Sequence, residues 1–463
     1  MNFIGLDIGS SFIKGAVLNL ETHQLQQIHR QPFPNSIVGL PPRHFEVDPQ
    51  QLVQQVRSVV EDLHTVAKNC AGLLLCSQMH GLVLTDSSWQ PLSNVITWRD
   101  QRTTLPHLGR DKSTYEMMLE QITNEEQRQL GGGLRAGLPI FTLGWLAAHD
   151  KLPAGNVIPM SLPDFVLAQL CDSALSPGIE PTNAAAHGAY NIATADWHHP
   201  VIERLGLGNL QWPPMRTISD VVGVATINGK SLPCHAPIGD HQAALAGAFI
   251  TDRELSLNIA TGSQASLLAN EVRYGEYEIR PFFDGQLLNT IVSIPAGRSL
   301  SLLVNLLTEL ARAEGIVLAD PWATIGASVD AIEQTDLSVN MDFYAGTTPS
   351  LANISNIRGD NLSVGHLFRA AFQRMADDYT DCAKRLSPDD EWERIVFSGG
   401  LAQKLVSLRE LILAKFDHEY RICQSTEDSL LGLMTLALVA SGKAESVAEA
   451  TRLITTDDEW PAE

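Results

Sequence analysis

The chain has 463 residues, 44% of them hydrophobic and 18% charged, a balance that excludes wholesale disorder. Its 53 acidic residues outnumber 32 basic ones, and the resulting charge of −21 argues against binding nucleic acid or an anionic membrane. At roughly 100–200 residues per domain, the length predicts two to four domains, each able to bury its own core.

The N-terminus lacks the basic and apolar regions of a signal peptide and reads instead as a hairpin. Ile4, Leu6 and Ile8 alternate on one face, Gly9-Ser10-Ser11 supplies the turn, and Ile13, Gly15 and Val17 alternate on the return. Asp48-Pro49 then offers an N-cap and a first-turn proline, so a helix is predicted through Leu52, Val56, Val59, Leu63 and Ala67. The run Leu73 to Cys76 predicts a buried strand. Strand alternating with helix predicts an α/β protein, and the lack of a polar linker predicts domains packed across a cleft.

Several segments of the middle region carry no chemistry. Gly131-Gly132-Gly133 reads as a flexible turn, and His198-His199 has no further ligands at zinc spacing. Gly223 to Ser231 imitates a P-loop, but five residues separate its glycines instead of four. Asp389-Asp390-Glu391 and the acidic C-terminus read as solvated surface. The six cysteines are dispersed without a CxxC pair, and the apolar stretch at 430–440 is too short to span a bilayer. A reduced, cytoplasmic protein with buried thiols is expected.

One internal similarity stands out. Leu6-Asp7-Ile8-Gly9-Ser10-Ser11 is echoed by Leu257-Asn258-Ile259-Ala260-Thr261-Gly262-Ser263, and both resume alternation after the turn. Two hairpins tipped by small hydroxyl residues would suit a triphosphate gripped from both sides, although ordinary β-turns use the same residues. Between them, Ile238-Gly239-Asp240-His241 ends an apolar approach and opens a helix of small residues. There Asp240 is either a cap or a reactive carboxylate. Later, Arg394 to Phe397 forms a strand that runs into Ser398-Gly399-Gly400 and then a helix. Such a turn lets a flat base lie on bare backbone.

Taken in order, these segments resemble the FGGY carbohydrate kinases over essentially the whole chain. The first phosphate motif would be Asp7 to Ser11 with Lys14, the second Ala260 to Ser263, and the adenosine motif Ser398 to Lys404. Ser77 to Gly81 and Trp98 to Arg102 resemble the sugar-side segments. The resemblance implies two ribonuclease H-like domains of the actin/hexokinase type around a central cleft. Residues 1–247 would form the sugar side with the first phosphate motif, and residues 248–463 the nucleotide side. It also implies ATP and Mg2+ as cofactors. Asp240 would be the general base, taking the proton from a ketose's terminal primary hydroxyl, and would share the metal with Asp7. Ser10, Ser11, Lys14, Thr261 and Gly262 would hold phosphates, and Gly399, Gly400 and Gln403 would face adenosine. Met79, His80, Asn183, Asp240 and His241 would meet the sugar. No nucleic-acid or membrane partner is expected, and a homodimer is left open.

Within the family, Met79-His80-Gly81 resembles ketose kinases more than glycerol kinases. Asn183-Ala184-Ala185, Thr142 in place of the usual lysine, and His241 in place of asparagine point to the sedoheptulokinase branch. Xylulokinase and ribulokinase types are the alternatives. A non-catalytic actin-like ATPase or a regulatory pseudokinase is the rival of another class. The actin-like ATPase would keep the two phosphate hairpins but need neither Asp240 nor Met79-His80-Gly81.

Overall fold

The computed structural model describes the whole chain except residues 108, 175–176, 345–351, 424 and 456–463. It is a mixed α/β protein built on two large sheets of similar plan. In the first, strands Gln24–Pro32, Phe12–Asn19 and Asn2–Ile8 form an antiparallel meander. Cys70–Ser77 then adds parallel to Asn2–Ile8, and Lys230–His235 adds parallel to Cys70–Ser77. In the second sheet, Glu278–Pro281, Leu287–Ile294, Ser263–Ala269 and Glu254–Ile259 run antiparallel, and Arg394–Ser398 and Glu419–Ile422 add in parallel.

The repeated plan places equivalent residues at equivalent strand ends. Asp7 pairs with Lys14 across the first hairpin, and Asn258 pairs with Gln264 across the second. Each hairpin strand also lies beside a parallel strand, putting Asp7 opposite Cys76 and Asn258 opposite Ser398. The two predicted hairpins are therefore the matching cores of two matching sheets.

Helix Pro49–Val66 begins where the sequence places it, with the Asp48 carboxylate accepting from the Gln51 N–H at 2.8 Å. Its apolar stripe of Leu52, Val56, Val59, Val60 and Leu63 is buried with Ile4, Leu6 and Ile8 of the first sheet. Helix Val364–Leu386 does the same for the second sheet, burying Phe368, Phe372, Met375 and Tyr379 with Leu255, Leu257 and Ile259.

A third core joins the halves. Helix Asp428–Ala440, late in the chain, returns to the first sheet, and Leu430, Leu433 and Met434 share a cluster with Phe3, Leu18 and Leu74. It crosses helix Asp240–Gly247 with backbones in contact. A Cβ on Gly247 would fall on the Asp428 carbonyl, and one on Gly432 on the Ala243 carbonyl. Glycine at both positions is what permits the crossing.

A smaller layer is inserted between strands of the first sheet. Strands Glu46–Val47, Val95–Ile96, Leu82–Thr85 and Ile158–Ser161 form its sheet, and helix Pro139–Ala148 packs beside it with Thr142 buried. Here Trp98 to Arg102 acts as scaffold. Arg102 is buried against Asp100 at 2.7 Å and also pairs with Glu46, while Asp100 accepts from the Phe45 N–H at 2.7 Å. All six cysteines are free, four buried and two half-buried. Asp389, Asp390 and Glu391 are exposed. Among the described residues, no helix is long and apolar enough to cross a membrane.

Candidate active site

Asp7 ends the first strand, and Asp240 opens the helix that follows the short strand Ile238–Gly239. That short strand pairs in parallel with Cys76 and Ser77, the same strand that flanks Asp7, so both carboxylates emerge at one sheet edge. Burial and the nearby Asp7 charge push the Asp240 carboxyl up to about 7, against opposing help from the His241 N–H and Arg280. The Asp7 carboxyl is raised by burial as well. Its Oδ2 accepts from Ser429 Oγ at 2.6 Å, whereas its Oδ1 is buried without a hydrogen-bond partner among the described residues.

Asp240 is not the N-cap of its helix. Gly239 holds that position, and no side chain caps it. The Gly239 N–H instead donates to Thr182 Oγ1 at 2.9 Å, and Asn183 Nδ2 donates to the Pro237 carbonyl at 2.9 Å. Asn183 is thus buried beneath the segment that presents Asp240, with its amide committed to backbone. Thr182 is in turn engaged by Glu180, whose carboxyl burial raises to about 7.

The hairpin turns differ from these buried groups in being open. Ser11, Thr261 and Gly262 are exposed, and a Cβ on Gly262 would meet nothing within 4 Å. Helix Gly297–Ala313 starts against the second turn, with the Arg298 N–H donating to the Thr261 carbonyl at 2.8 Å. Lys14 lies 3.1 Å from Glu427, a buried carboxylate that also takes Arg30. At the Gly-Gly turn the two glycines do different work. Gly399 has a φ of +86°, and a Cβ added there would fall 2.6 Å from the Ile259 carbonyl oxygen, while one added at Gly400 would meet no described atom within 4 Å. The Gln403 amide donates to the carbonyls of Cys423 and Ser425 at 2.9 and 3.0 Å, so it secures the neighbouring loop.

Met79 and His80 sit in a pocket that the second sheet closes. His80 adopts a φ of +65°, a costly conformation for a side chain of its kind. Its Nδ1 lies 2.9 Å from the Ala186 carbonyl, and its Nε2 lies 3.4 Å from Arg135. Arg135 reaches Glu278 at 2.7 Å, and Glu278 reaches Arg280 at 2.6 Å. Arg280 then meets His241 Nδ1 at 3.2 Å and Met79 Sδ at 3.8 Å. Burial alone would raise the Glu278 carboxyl, but the two arginines hold it at about 2. Burial, assisted by the arginines, keeps both histidines near 3 and therefore neutral.

Sequence reasoning missed Arg135, Glu278 and Arg280. It also read Gly131-Gly132-Gly133 as a flexible turn, whereas the Ile279 N–H donates to the Gly131 carbonyl at 2.8 Å. The run is a close approach between the two halves, beside the pocket of Met79 and His80.

A family model fits this arrangement: the N-terminal domain of the FGGY family of carbohydrate kinases matches residues 2–247. The chain belongs to that family. It is 28% identical to a glycerol kinase of Marinomonas sp. (strain MWYL1), a match covering 48% of this chain and only 45% of that enzyme. It is 20% identical to the sedoheptulokinase of Homo sapiens across 89% of this chain and 92% of that one. In fold, this FGGY chain superposes on xylulose kinase from Rhodospirillum rubrum with a TM-score of 0.82 at 17% identity, covering 97% and 92% of the two chains. The expected two-domain actin/hexokinase-like fold is the observed one.

Proposed function

We propose that this FGGY chain transfers the γ-phosphoryl group of ATP to the terminal primary hydroxyl of a ketose, with sedoheptulose the preferred substrate. The observation that carries the reading is Asp240: a carboxylate raised to about 7, beside Asp7, at the sheet edge shared with the first hairpin turn. Phosphoryl transfer needs an acceptor hydroxyl held in line, a base for its proton and compensation of charge on the moving group. Asp240 would accept the proton. A base tuned near the working pH is also the most effective one, typically contributing about 10²–10⁴-fold.

The two open hairpin turns would offer backbone N–H groups and the hydroxyls of Ser10, Ser11 and Thr261 to the phosphates. Gly400 and Gly262 leave room for a ligand against bare backbone. Asp7 and Asp240 suit a magnesium ion that retains much of its own water, because they are two neighbouring carboxylates, one with an orphaned oxygen. Bound there, the ion would neutralise charge on the transferring phosphoryl group. The reading divides the chain at residues 247 and 248, with sugar on one side and nucleotide on the other, in a cytoplasmic enzyme.

The preference for sedoheptulose rests on Asn183-Ala184-Ala185, Thr142 and His241, the residues that resemble that branch, and Met79-His80-Gly81 favours a ketose over glycerol. A coupled ADP-release assay with sedoheptulose, xylulose, ribulose, fructose and glycerol tests it. The highest kcat/KM is expected for sedoheptulose and the lowest for glycerol. Turnover of xylulose without sedoheptulose would replace the substrate and keep the kinase. ATP hydrolysis unaffected by every sugar would favour an actin-like ATPase.

A further inference from the structure

Two arginines meet two histidines in the pocket, and their chemistry fixes where each imidazole carries its proton. A guanidinium can only donate, and a backbone carbonyl can only accept. His80 Nδ1 faces the Ala186 carbonyl at 2.9 Å, so that nitrogen bears the proton, and Nε2 offers its lone pair to Arg135 at 3.4 Å. At His241 the order is reversed. Arg280 donates to Nδ1 at 3.2 Å, so the proton lies on Nε2.

The His80 ring is thereby satisfied on both sides, but the His241 ring is not. His241 Nε2 is buried, carries an N–H and has no hydrogen-bond partner among the described residues. A buried donor without an acceptor costs about 1–3 kcal/mol, and such groups in native proteins call for an explanation. This donor is one residue from Asp240. The arginine that orients it stands on strand Glu278–Pro281 of the second sheet, and Glu278 pins that arginine to Arg135 of the first half.

We infer that Glu278, Arg280 and Arg135 form a positioning relay across the two halves, which locks His241 as an Nε2–H donor for a substrate oxygen beside the hydroxyl that Asp240 deprotonates. The relay rests on the kinase reading for its purpose but not for its geometry. Arg135, Glu278 and Arg280 also line the cavity that holds Met79 and His80, so the relay borders the segment that resembles the sugar side. The ligand class is a polyhydroxylated molecule with an acceptor oxygen next to its reacting hydroxyl, which an aldose or ketose chain supplies and a simple alcohol does not.

The test has two arms. Histidine-selective ¹⁵N labelling reads the ring tautomers directly, with His241→Gln used to assign the His241 signals. The wild type should show a protonated Nε2 and an unprotonated Nδ1 at His241, with the opposite pattern at His80. Arg280→Met should release the His241 tautomer into a mixture and raise the sugar KM about tenfold, the scale of one lost hydrogen bond, with the ATP KM little changed. Arg280→Lys, which can still donate, should restore the tautomer. A wild-type His241 protonated at Nδ1 would overturn the relay, even if no variant folded. So would an Arg280→Met protein with unaltered His241 signals and sugar KM. If the wild type turned over no sugar, the kinase reading would fail while the tautomer arm still decided the geometry.

Discussion

Ser429 Oγ donates to Asp7 Oδ2 at 2.6 Å, joining residues 422 positions apart in the sequence. The contact ties the end of the first strand to the start of helix Asp428–Ala440, which itself crosses helix Asp240–Gly247. The orientation of Asp7 is therefore set from the far end of the chain. Ser429→Ala leaves Oδ2 buried without its donor, and the expected loss of stability is about 1–3 kcal/mol. Removing the hydrogen bond also lets burial raise the Asp7 carboxyl further. Urea unfolding measures the first effect; with Asp7 holding Mg2+ as proposed, a higher Mg2+ concentration for half-maximal activity measures the second.

The crossing of the two helices should tolerate no side chain. Gly247→Ala or Gly432→Ala would press a methyl onto a backbone carbonyl of the partner helix. A loss of about 1–3 kcal/mol in urea unfolding is expected, together with lower kcat, because the helix that begins at Asp240 has to shift. A variant as stable and active as the wild type would refute the close approach.

The adjacent glycines of the Gly-Gly turn should separate by phenotype. Gly399→Ala forces a side chain into a positive φ and onto the Ile259 carbonyl, so stability should fall by about 1–3 kcal/mol. At Gly400 an added Cβ meets no described atom within 4 Å, so Gly400→Val should fold normally. Its side chain would instead occupy the place assigned to adenosine, raising the KM for ATP without affecting sugar binding. Thermal melts and ATP titrations of the two variants distinguish these outcomes.

Glu180 predicts a pH dependence of stability. Burial raises its carboxyl to about 7 in the folded chain, against an ordinary value of 4.5. Between those values the native state holds a proton that the unfolded state has released, so this group's contribution falls as pH rises. Glu180→Gln keeps an oxygen for the Thr182 N–H and cannot ionise. The Tm of the variant relative to wild type should therefore climb from pH 5 to pH 8. A constant difference would place the Glu180 carboxyl near its ordinary value.

Features written in short segments were legible before any coordinates. Asp48-Pro49 starts its helix because cap and proline act within one turn. The two hairpins were visible because alternation and turn chemistry are local, and their likeness located Asp7 and the Thr261 turn. The choice between cap and reactive carboxylate at Asp240 needed the fold, since only the placement of Gly239 and Thr182 shows that another residue holds the cap. Arg135 and Glu278 were illegible, because 143 residues separate them and neither belongs to a local pattern. The same holds for Gly131, whose partner is a strand edge of the other half. Asn183 and Gln403 read in the sequence as ligand contacts, and in the fold their amide nitrogens donate to backbone carbonyls. Side-chain type alone does not reveal such commitments.

The central claim is that Asp240 removes the proton from the acceptor hydroxyl. Asp240→Asn is nearly isosteric and leaves Gly239, Thr182 and the helix start undisturbed, so fold and ATP binding should persist. The measurement is kcat with saturating ATP and the best sugar, alongside nucleotide affinity by titration. The account predicts a fall in kcat of about 10²-fold or more with nucleotide affinity within a few-fold of wild type. A folded Asp240→Asn enzyme that turns over sugar within a few-fold of the wild-type rate would contradict it.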